Sequence, residues 1–475
     1  MKTAIAFVEI GKYAVGKLAS HSEIEPFAIE YIGAAVEKAG YDVELFQQRN
    51  QNIDQLVEEI LRTNPQIVGV SCYTYKFPDA LKLAKNIKSR NPDIITILGG
   101  YHATGMPTNI QYGNFDFFVI GEGEETIVEL LENINRPEIV RGIAYLKNGE
   151  VKINPRRERL DFSKLPWPLR KKEFLEDTAI KGIVDKEKIA QISYSRGCPS
   201  ECTFCCSPEM WQNAVKFRNA EDVVSEMKEI SKNYGVNYFF FADLTFNAST
   251  KRLFELTELL KKEDFEWCCM PSLERDNLDE FMVQNMAEAG CRRMMLGVES
   301  INTEVLHFLG KRAIFERNLR FDEIYKVFRL CDKYGIVSRA FLMLGNPNEK
   351  PDDIKDYLEK LKILLPDEIR IAITTPLPGS KMYNELDKNI LLYNNFPEDW
   401  ARFSTNELVF RHKYFKKEEL NEAVNWLFDS YYQSKEYGRH LMEKYKKHIA
   451  LRPGIENFVR DWLREKQNIN VYGFD

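Results

Sequence analysis

The chain has 475 residues, 44% of them hydrophobic, and a formal net charge of −6. This size allows two or three hydrophobic cores, and the acidic balance does not indicate a nucleic-acid-binding surface. No run of eighteen apolar residues is present, and the apolar run Thr3–Glu9 is broken by an acid and lacks a cleavage-site pattern, so we expect neither a transmembrane segment nor a leader. Nine cysteines, four of them within one short segment, favour a reducing, cytoplasmic location.

The first 135 residues alternate apolar strand runs with amphipathic helical runs. The predicted strands are Thr3–Glu9, Asp42–Phe46, Ile67–Ser71, Ile94–Leu98 and Phe115–Ile120. The predicted helices are Phe27–Ala39, Ile53–Thr63, Pro78–Ser89 and Glu125–Ile134. This alternation predicts an α/β domain with a doubly wound parallel sheet of Rossmann type, which binds ligands beyond the carboxyl ends of its strands.

Small residues are concentrated in three loops that follow these strands. The loops are Ser71-Cys-Tyr-Thr74, Gly99-Gly-Tyr-His-Ala-Thr104 and Gly121-Glu-Gly-Glu-Glu-Thr126. Glycine in such a loop can let a ligand approach the backbone, or it can simply permit a tight turn. Each glycine pair therefore has two explanations, ligand binding and turn geometry.

A charged, irregular segment over residues 136–185 is predicted to link this domain to the next. It contains a basic stretch at residues 152–159 and the turn-rich Leu165-Pro-Trp-Pro168. We interpret its arginines, Arg156, Arg157 and Arg159, as parts of a solvated connector rather than a phosphate site.

Residues 186–390 contain six strand-plus-helix units. The predicted strands are Ile189–Tyr194, Tyr238–Ala242, Glu266–Met270, Arg293–Val298, Ser338–Leu344 and Glu368–Thr374. Six units predict a partial (β/α)6 barrel, two units short of the closed form. Residues 391–475 show helical periodicity, as in Leu420–Tyr431 and Ser434–Tyr445, and are predicted to form a helical cap.

Three cysteines with CxxxCxxC spacing follow the first strand of the predicted barrel. Cys198, Cys202 and Cys205 can hold three corners of a 4Fe-4S cluster and leave the fourth iron open for a ligand. Structural zinc is the first alternative, but no second ligand cluster follows. A redox pair of Cys202 and Cys205 is the second, and it leaves Cys198 unexplained. Cys206 is interpreted as a bystander.

The cysteine motif, with Phe204 before its last cysteine, resembles the radical S-adenosylmethionine (SAM) superfamily. The resemblance implies that SAM binds the open iron and is cleaved to a 5'-deoxyadenosyl radical, the cofactor carrying the difficult chemistry. The implied SAM contacts are Phe204, Asp243, Arg275, Glu299, Ser300 and Gly345. For two of these residues another role is considered: Asp243 could equally cap the turn before the next helix, and Arg275 could form a surface ion pair.

Segment 1–135 resembles the cobalamin-binding domain that precedes the radical core in one class of these enzymes. The motif Asp-x-His-x-x-Gly is absent between Glu9 and Pro26, so cobalamin is expected without a protein ligand below cobalt, and His102 is not given that role. The implied cobalamin contacts are Ser71, Tyr73, Thr74, Gly99, Gly100, His102, Gly121, Glu122 and Gly123.

The resemblance implies a cobalamin-dependent enzyme that transfers a methyl group to an unactivated carbon. A cyclase, rearrangement or coupling enzyme, with or without cobalamin, is the first alternative, and a non-catalytic iron–sulfur sensor or electron-transfer protein is the second. A transfer-RNA methylthiotransferase is disfavoured, because only Cys72 precedes Cys198. The expected partners are a small-molecule, lipid or natural-product substrate and an electron donor such as flavodoxin or ferredoxin; no residue is assigned as catalytic.

Overall fold

The computed structural model describes residues 3–10, 24–49, 51–180, 182–183, 186–311 and 321–448. Two sheets organise it, one before and one after residue 160. Within the described part of the chain, no helix combines the length and apolar composition that a membrane crossing needs.

The first sheet has seven strands in the order β2-β1-β3-β4-β5-β6-β7. Its strands are β1 (Ala4–Glu9), β2 (Asp42–Gln47), β3 (Ile67–Ser71), β4 (Ile95–Gly99), β5 (Phe117–Val119), β6 (Ile143–Lys147) and β7 (Glu150–Ile153). The first five are parallel, as predicted, and their runs of Val, Ile and Phe are buried because helices cover both faces. The helices are α1 (Phe27–Lys38), α2 (Ile53–Arg62), α3 (Phe77–Arg90), α4 (Tyr101–Gly105) and α5 (Glu124–Glu132).

The sheet extends beyond the predicted domain boundary at residue 135. Strands β6 and β7 form an antiparallel hairpin that pairs with β5, inside the segment predicted as a linker. The rest of that segment contains helix α6 (Lys172–Glu176) and the paired short strands β8 (Ala179–Ile180) and β9 (Lys186–Glu187).

The second sheet is the predicted open barrel of six parallel strands. They lie in sequence order, and a further short pair, β11 (Ser195–Arg196) with β12 (Lys216–Phe217), follows the first of them. The barrel strands are β10 (Ile189–Ile192), β13 (Tyr238–Phe241), β14 (Glu266–Cys269), β15 (Cys291–Glu299), β16 (Val337–Leu344) and β17 (Glu368–Ile373). The helices of this region are α7 (Ser207–Trp211), α8 (Ala220–Tyr234), α9 (Thr250–Leu260), α10 (Glu280–Glu288), α11 (Thr303–Phe308), α12 (Phe321–Lys333), α13 (Pro351–Leu364) and α14 (Lys381–Glu385).

Two helices at the carboxyl end, α15 (Lys417–Tyr432) and α16 (Lys435–His448), pack on the barrel. The Lys444 ammonium of α16 donates to the fully buried Asp367, immediately before β17, and lies 2.8 Å from Asp332 on α12. His440 lies 3.2 Å from Asp367, and these four side chains lock the terminal helix to the barrel. Because Lys444 already supplies a cation to both carboxylates, we interpret this group as an ion-pair lock rather than a metal site.

Candidate active site

The loop that carries the three cysteines leaves the barrel after β10 and β11. Gly197 precedes the first of them with a φ of +101°, and a Cβ there would collide with the carbonyl oxygen of Ala214. Only glycine meets both conditions, so the glycine before Cys198 is required by the backbone. Further along, Thr203 N–H donates to the Leu309 carbonyl at 3.0 Å, and Met382 N–H donates to the Thr203 carbonyl at 2.7 Å.

Asp243 holds the start of this loop. Its carboxylate is fully buried and accepts hydrogen bonds from the N–H groups of Tyr194 and Ser195 and, at 2.5 Å, from the Ser195 hydroxyl. Asp243 thus caps the start of the cysteine loop and not the turn before the next helix, and its contact with SAM stays a prediction.

The three thiols are close enough to interact electrostatically, and two of them have hydrogen-bond donors beside them. The Thr245 hydroxyl lies 3.1 Å from the Cys198 sulfur, and Ser207 N–H donates to the Cys205 sulfur at 3.4 Å. Burial raises the pKa of the Cys202 thiol to about 12, and burial also raises the pKa of Cys205. Buried thiols with N–H and O–H donors suit ligation of an iron–sulfur cluster, which would hold them as thiolates, so these residues fit the cluster.

Glu299 ends β15 in an unusual conformation beside the cysteines. Its φ is +59°, rare for a residue with a Cβ, and the pairing of β15 with β16 shifts register there. The side chain folds back over Gly297, where a Cβ would lie 2.6 Å from the Glu299 carboxylate. Glu299 lies 3.4 Å from the ammonium of the buried Lys311. Backbone strain is a feature of functional sites, and the predicted contact of Glu299 with SAM is compatible with it.

Lys311 was not recognised in the sequence. Its ammonium interacts electrostatically with Glu299, Cys202 and Glu274, in that order of strength, and these groups raise its pKa against the effect of burial. The Ser200 hydroxyl, from the cysteine loop, donates to Glu274 at 2.9 Å. No motif marks Lys311, because the fold alone brings it to the cysteine loop.

Two other predicted SAM contacts have partners inside the protein. The Ser300 hydroxyl is fully buried and lies 2.5 Å from the Tyr357 hydroxyl, which donates to Glu349 at 2.9 Å. Gly345 has a φ of +79°, and a Cβ there would lie 2.6 Å from a methyl of Leu420 on α15. Packing against α15 is therefore a sufficient reason for glycine at 345.

The remaining two, Arg275 and Phe204, differ in their surroundings. The half-buried Arg275 side chain makes no hydrogen bond or ion pair with any residue in the described ranges, so the surface ion pair is not formed there. Phe204 packs against Val305, Leu309 and Met382 beside the cysteine loop.

The predicted cobalamin face lies at the carboxyl ends of β3, β4 and β5. Gly100 and Gly121 have φ values of +92° and +80°. The space beside Gly99 is open, because a Cβ placed there would have no atom nearer than Val119, at 3.9 Å. The Tyr73 ring, 37% exposed, stacks on Tyr101 with centroids 5.8 Å apart. The open backbone at Gly99 beside a flat aromatic layer fits the face of a corrin ring.

This face is turned towards the cysteine loop. The Trp211 ring nitrogen donates to the Tyr101 hydroxyl at 3.1 Å. Burial raises the pKa of the Tyr101 hydroxyl, and Cys205 and Cys206 raise this pKa further. The Cys206 thiol donates to the Pro378 carbonyl at 3.3 Å, which supports its interpretation as a bystander.

His102 does not lie on the open face. Its ring is fully buried, with its nitrogens 3.3 Å from the Thr74 hydroxyl and 3.1 Å from the Asn109 amide. It stacks on Phe77 at 4.0 Å and meets Trp400 at 5.4 Å, and burial lowers its pKa to about 3. These surroundings fit a neutral core histidine better than a cobalamin contact.

The interpretation of the linker arginines as parts of a solvated connector is wrong. Arg159 forms an ion pair with Glu122 at 2.5 Å, with both side chains about 95% buried, and donates to the Trp211 and Ala214 carbonyls. Arg196, two residues before Cys198, forms an ion pair with Glu124 at 2.5 Å. Glu122, predicted as a cobalamin contact, therefore belongs to an ion-pair network that ties the first domain to the cysteine loop.

Comparison with known proteins agrees with this architecture. Residues 14–131 match the B12 binding domain family, and residues 192–414 match the Radical SAM superfamily. An uncharacterized methyltransferase of Pyrococcus horikoshii is 25% identical over 86% of this chain and 87% of its own. An anaerobic magnesium-protoporphyrin IX monomethyl ester cyclase of Rubrivivax gelatinosus is 26% identical over 93% of this chain and 80% of its own.

The fold also matches solved structures. The radical SAM methyltransferase TsrM of Kitasatospora setae, solved with cobalamin and a [4Fe-4S] cluster bound, aligns over 98% of this chain and 100% of its own, with a TM-score of 0.70 and 18% identity. The two matched domains stand in the order found in the sequence, and the three cysteines lie in the second. The chain therefore belongs to the radical SAM enzymes that carry an N-terminal B12-binding domain.

Proposed function

We propose that the protein transfers a methyl group to an unactivated carbon of its substrate. The observation that carries the proposal is the contact between the two domains, where Tyr101 of the B12-binding domain accepts a hydrogen bond from Trp211, on the helix that directly follows the cysteine motif. A corrin on the face formed by Tyr73 and the glycine loops would lie next to the SAM site.

The bound cofactors would supply the chemistry, with one SAM donating the methyl group through the corrin and a second yielding the radical that removes a substrate hydrogen. The chain would do the rest. Cys198, Cys202 and Cys205 would bind the cluster, and Glu299, held by Lys311, would orient the cofactor. Closure of the site between the domains would keep water from the radical.

The test is anaerobic reconstitution of the full chain with iron, sulfide and hydroxocobalamin, followed by incubation with methyl-deuterated SAM and a reductant. The proposal expects cluster and corrin absorption, and formation of both 5'-deoxyadenosine and S-adenosylhomocysteine. Protein that retains no corrin would refute methyl transfer and leave radical chemistry intact. Absence of 5'-deoxyadenosine would instead favour a sensor or electron-transfer protein.

A cyclisation is the second candidate, favoured by the similarity to a cyclase over 93% of this chain. It would form 5'-deoxyadenosine without S-adenosylhomocysteine, so the same assay separates the two reactions. We propose flavodoxin or ferredoxin as electron donor and the cytoplasm as location, since all nine cysteines are free thiols.

A further inference from the structure

A large pocket opens at the barrel mouth, between the cysteine loop and the segment that precedes α15. Its volume is about 820 Å³, within the range of small-molecule sites. Thr203, between two of the predicted cluster ligands, lies in its wall, together with Pro347 and Pro376 from the loops after β16 and β17. The pocket therefore adjoins the loop that carries the predicted cluster ligands.

The lining of this pocket carries more positive than negative charge, whereas the whole chain is net negative. Lys381, Arg411 and Lys413 line it, with Glu385 as the only carboxylate among the described lining residues. Lys381 and Glu385 lie 3.6 Å apart, so they largely offset one another. The three cations are exposed, and in a protein with a net charge of −6 their local excess favours an anionic ligand over a cationic one.

Arg411 is exposed, and it is the cation whose charge no described residue offsets. Its side chain makes no hydrogen bond or ion pair with any residue that the structure describes, whereas Lys413 lies over the Tyr414 ring at 4.9 Å. A guanidinium offers a planar pair of donors that matches a carboxylate or phosphate.

His412 fixes the backbone that presents Arg411. Its Nε2 donates to the Asn346 carbonyl at 2.6 Å, and its Nδ1 accepts from Tyr414 N–H at 3.1 Å. Both nitrogens are thus used by a neutral ring, and burial lowers its pKa. The bond to Asn346 ties the Arg411 segment to the loop after β16.

The other walls are mostly apolar. Phe308, Met382, Leu386, Ile390 and Phe410 form the apolar part of the lining, and His307 and Gly310 complete it. An apolar body with a terminal anion would satisfy both parts of the surface. Building on the proposed function, we infer that the substrate is an amphiphilic small molecule bearing a carboxylate or phosphate group, which Arg411 binds.

Calorimetric titration of the reconstituted full-length protein tests this, with phenylphosphate and 4-phenylbutyrate as anionic probes and benzyl alcohol as the neutral probe. We expect at least one anion to bind more tightly than the alcohol. Arg411→Gln should weaken that anion by roughly five-fold, the effect of a partly exposed ion pair. Lys251→Gln, on the exposed face of α9, is the control and should leave the affinity unchanged.

The inference is overturned if the alcohol binds as tightly as both anions, or if Arg411→Gln binds the anions as the wild type does. The titration needs neither SAM nor turnover. Loss of corrin with anion binding intact would therefore refute the proposed methyl transfer alone, and the reverse result would refute only the substrate class.

Discussion

At the scale of single residues, Glu299 connects backbone strain to the candidate site. A left-handed conformation costs a non-glycine residue on the order of 1–3 kcal/mol, so its surroundings must hold it in place. Gly297 leaves room for the Glu299 carboxylate, and Lys311 supplies its counter-charge. The Gly-Val-Glu-Ser motif is thus explained by geometry as well as by resemblance.

If Glu299 contacts SAM, Glu299→Gln should weaken SAM binding about ten-fold, since a charged hydrogen bond contributes roughly 1.5–3 kcal/mol. Equilibrium dialysis of labelled SAM with reconstituted protein measures this. Glu304→Gln, on the exposed side of α11, is the matched control. Equal SAM affinity in Glu299→Gln and the wild type would remove Glu299 from the SAM site.

His102 allows a prediction on pH. Because burial lowers its pKa to about 3, the unfolded chain binds a proton below the ordinary pKa of 6.5 that the folded protein does not bind. Its contribution to stability is therefore lost as the pH falls from 6.5 towards 3, by up to about 1.4 kcal/mol per pH unit.

His102→Gln keeps hydrogen-bonding groups for Thr74 and Asn109 but does not titrate. The free energy of unfolding by urea, compared at pH 7 and pH 5, should fall less in this variant than in the wild type. His307→Gln, at an exposed position, should retain the wild-type fall. An equal fall in all three proteins would contradict the buried, neutral ring.

At the scale of elements, helix α4 is packed directly against the loop that follows β17 and holds Pro378 and Gly379, here called the closing loop. A Cβ on Gly105 would lie 2.6 Å from the Pro378 carbonyl oxygen and 2.9 Å from the Gly379 nitrogen. Both are backbone atoms, so neither can move aside as a flexible side chain would.

Gly105→Ala should therefore destabilise the protein by about 1–3 kcal/mol, as overpacking does. Gly99→Ala is the matched control, because its Cβ would meet nothing nearer than 3.9 Å. Urea unfolding of the full chain measures both. Equal stability of the two variants would show that α4 and the closing loop are not in close contact.

At the scale of the whole molecule, buried ion pairs join the two domains across the segment expected to be a solvated connector. Arg159→Met would leave the buried Glu122 with Arg196, 3.8 Å away, as its remaining counter-charge, and should cost about 3 kcal/mol. The double variant Arg159→Met, Glu122→Met should recover a large part of that loss.

Urea unfolding of the wild type, both single variants and the double variant measures the coupling. Lys172→Met is the control, since Lys172 and Glu176 form an exposed pair worth less than about 1 kcal/mol. A cost for Arg159→Met no larger than that of the control would mean that the network does not hold the domains together.

The sequence by itself determined the two domains, their parallel strands and the cysteine motif. Hydrophobic periodicity and motif spacing are local properties, so they can be read along the chain: the six barrel strands were predicted within a few residues. The hairpin β6–β7 escaped prediction because its strands are short and half-exposed, and only the edge of β5 gives them a partner.

The tertiary structure alone decided which side chains meet. Lys311 lies more than one hundred residues from Cys198, and Arg411 about two hundred, and no local pattern marks either. Asp243 and His102, by contrast, were singled out by position but are satisfied within the core. Burial and pairing depend on contacts between distant segments, and these form only when the chain is folded.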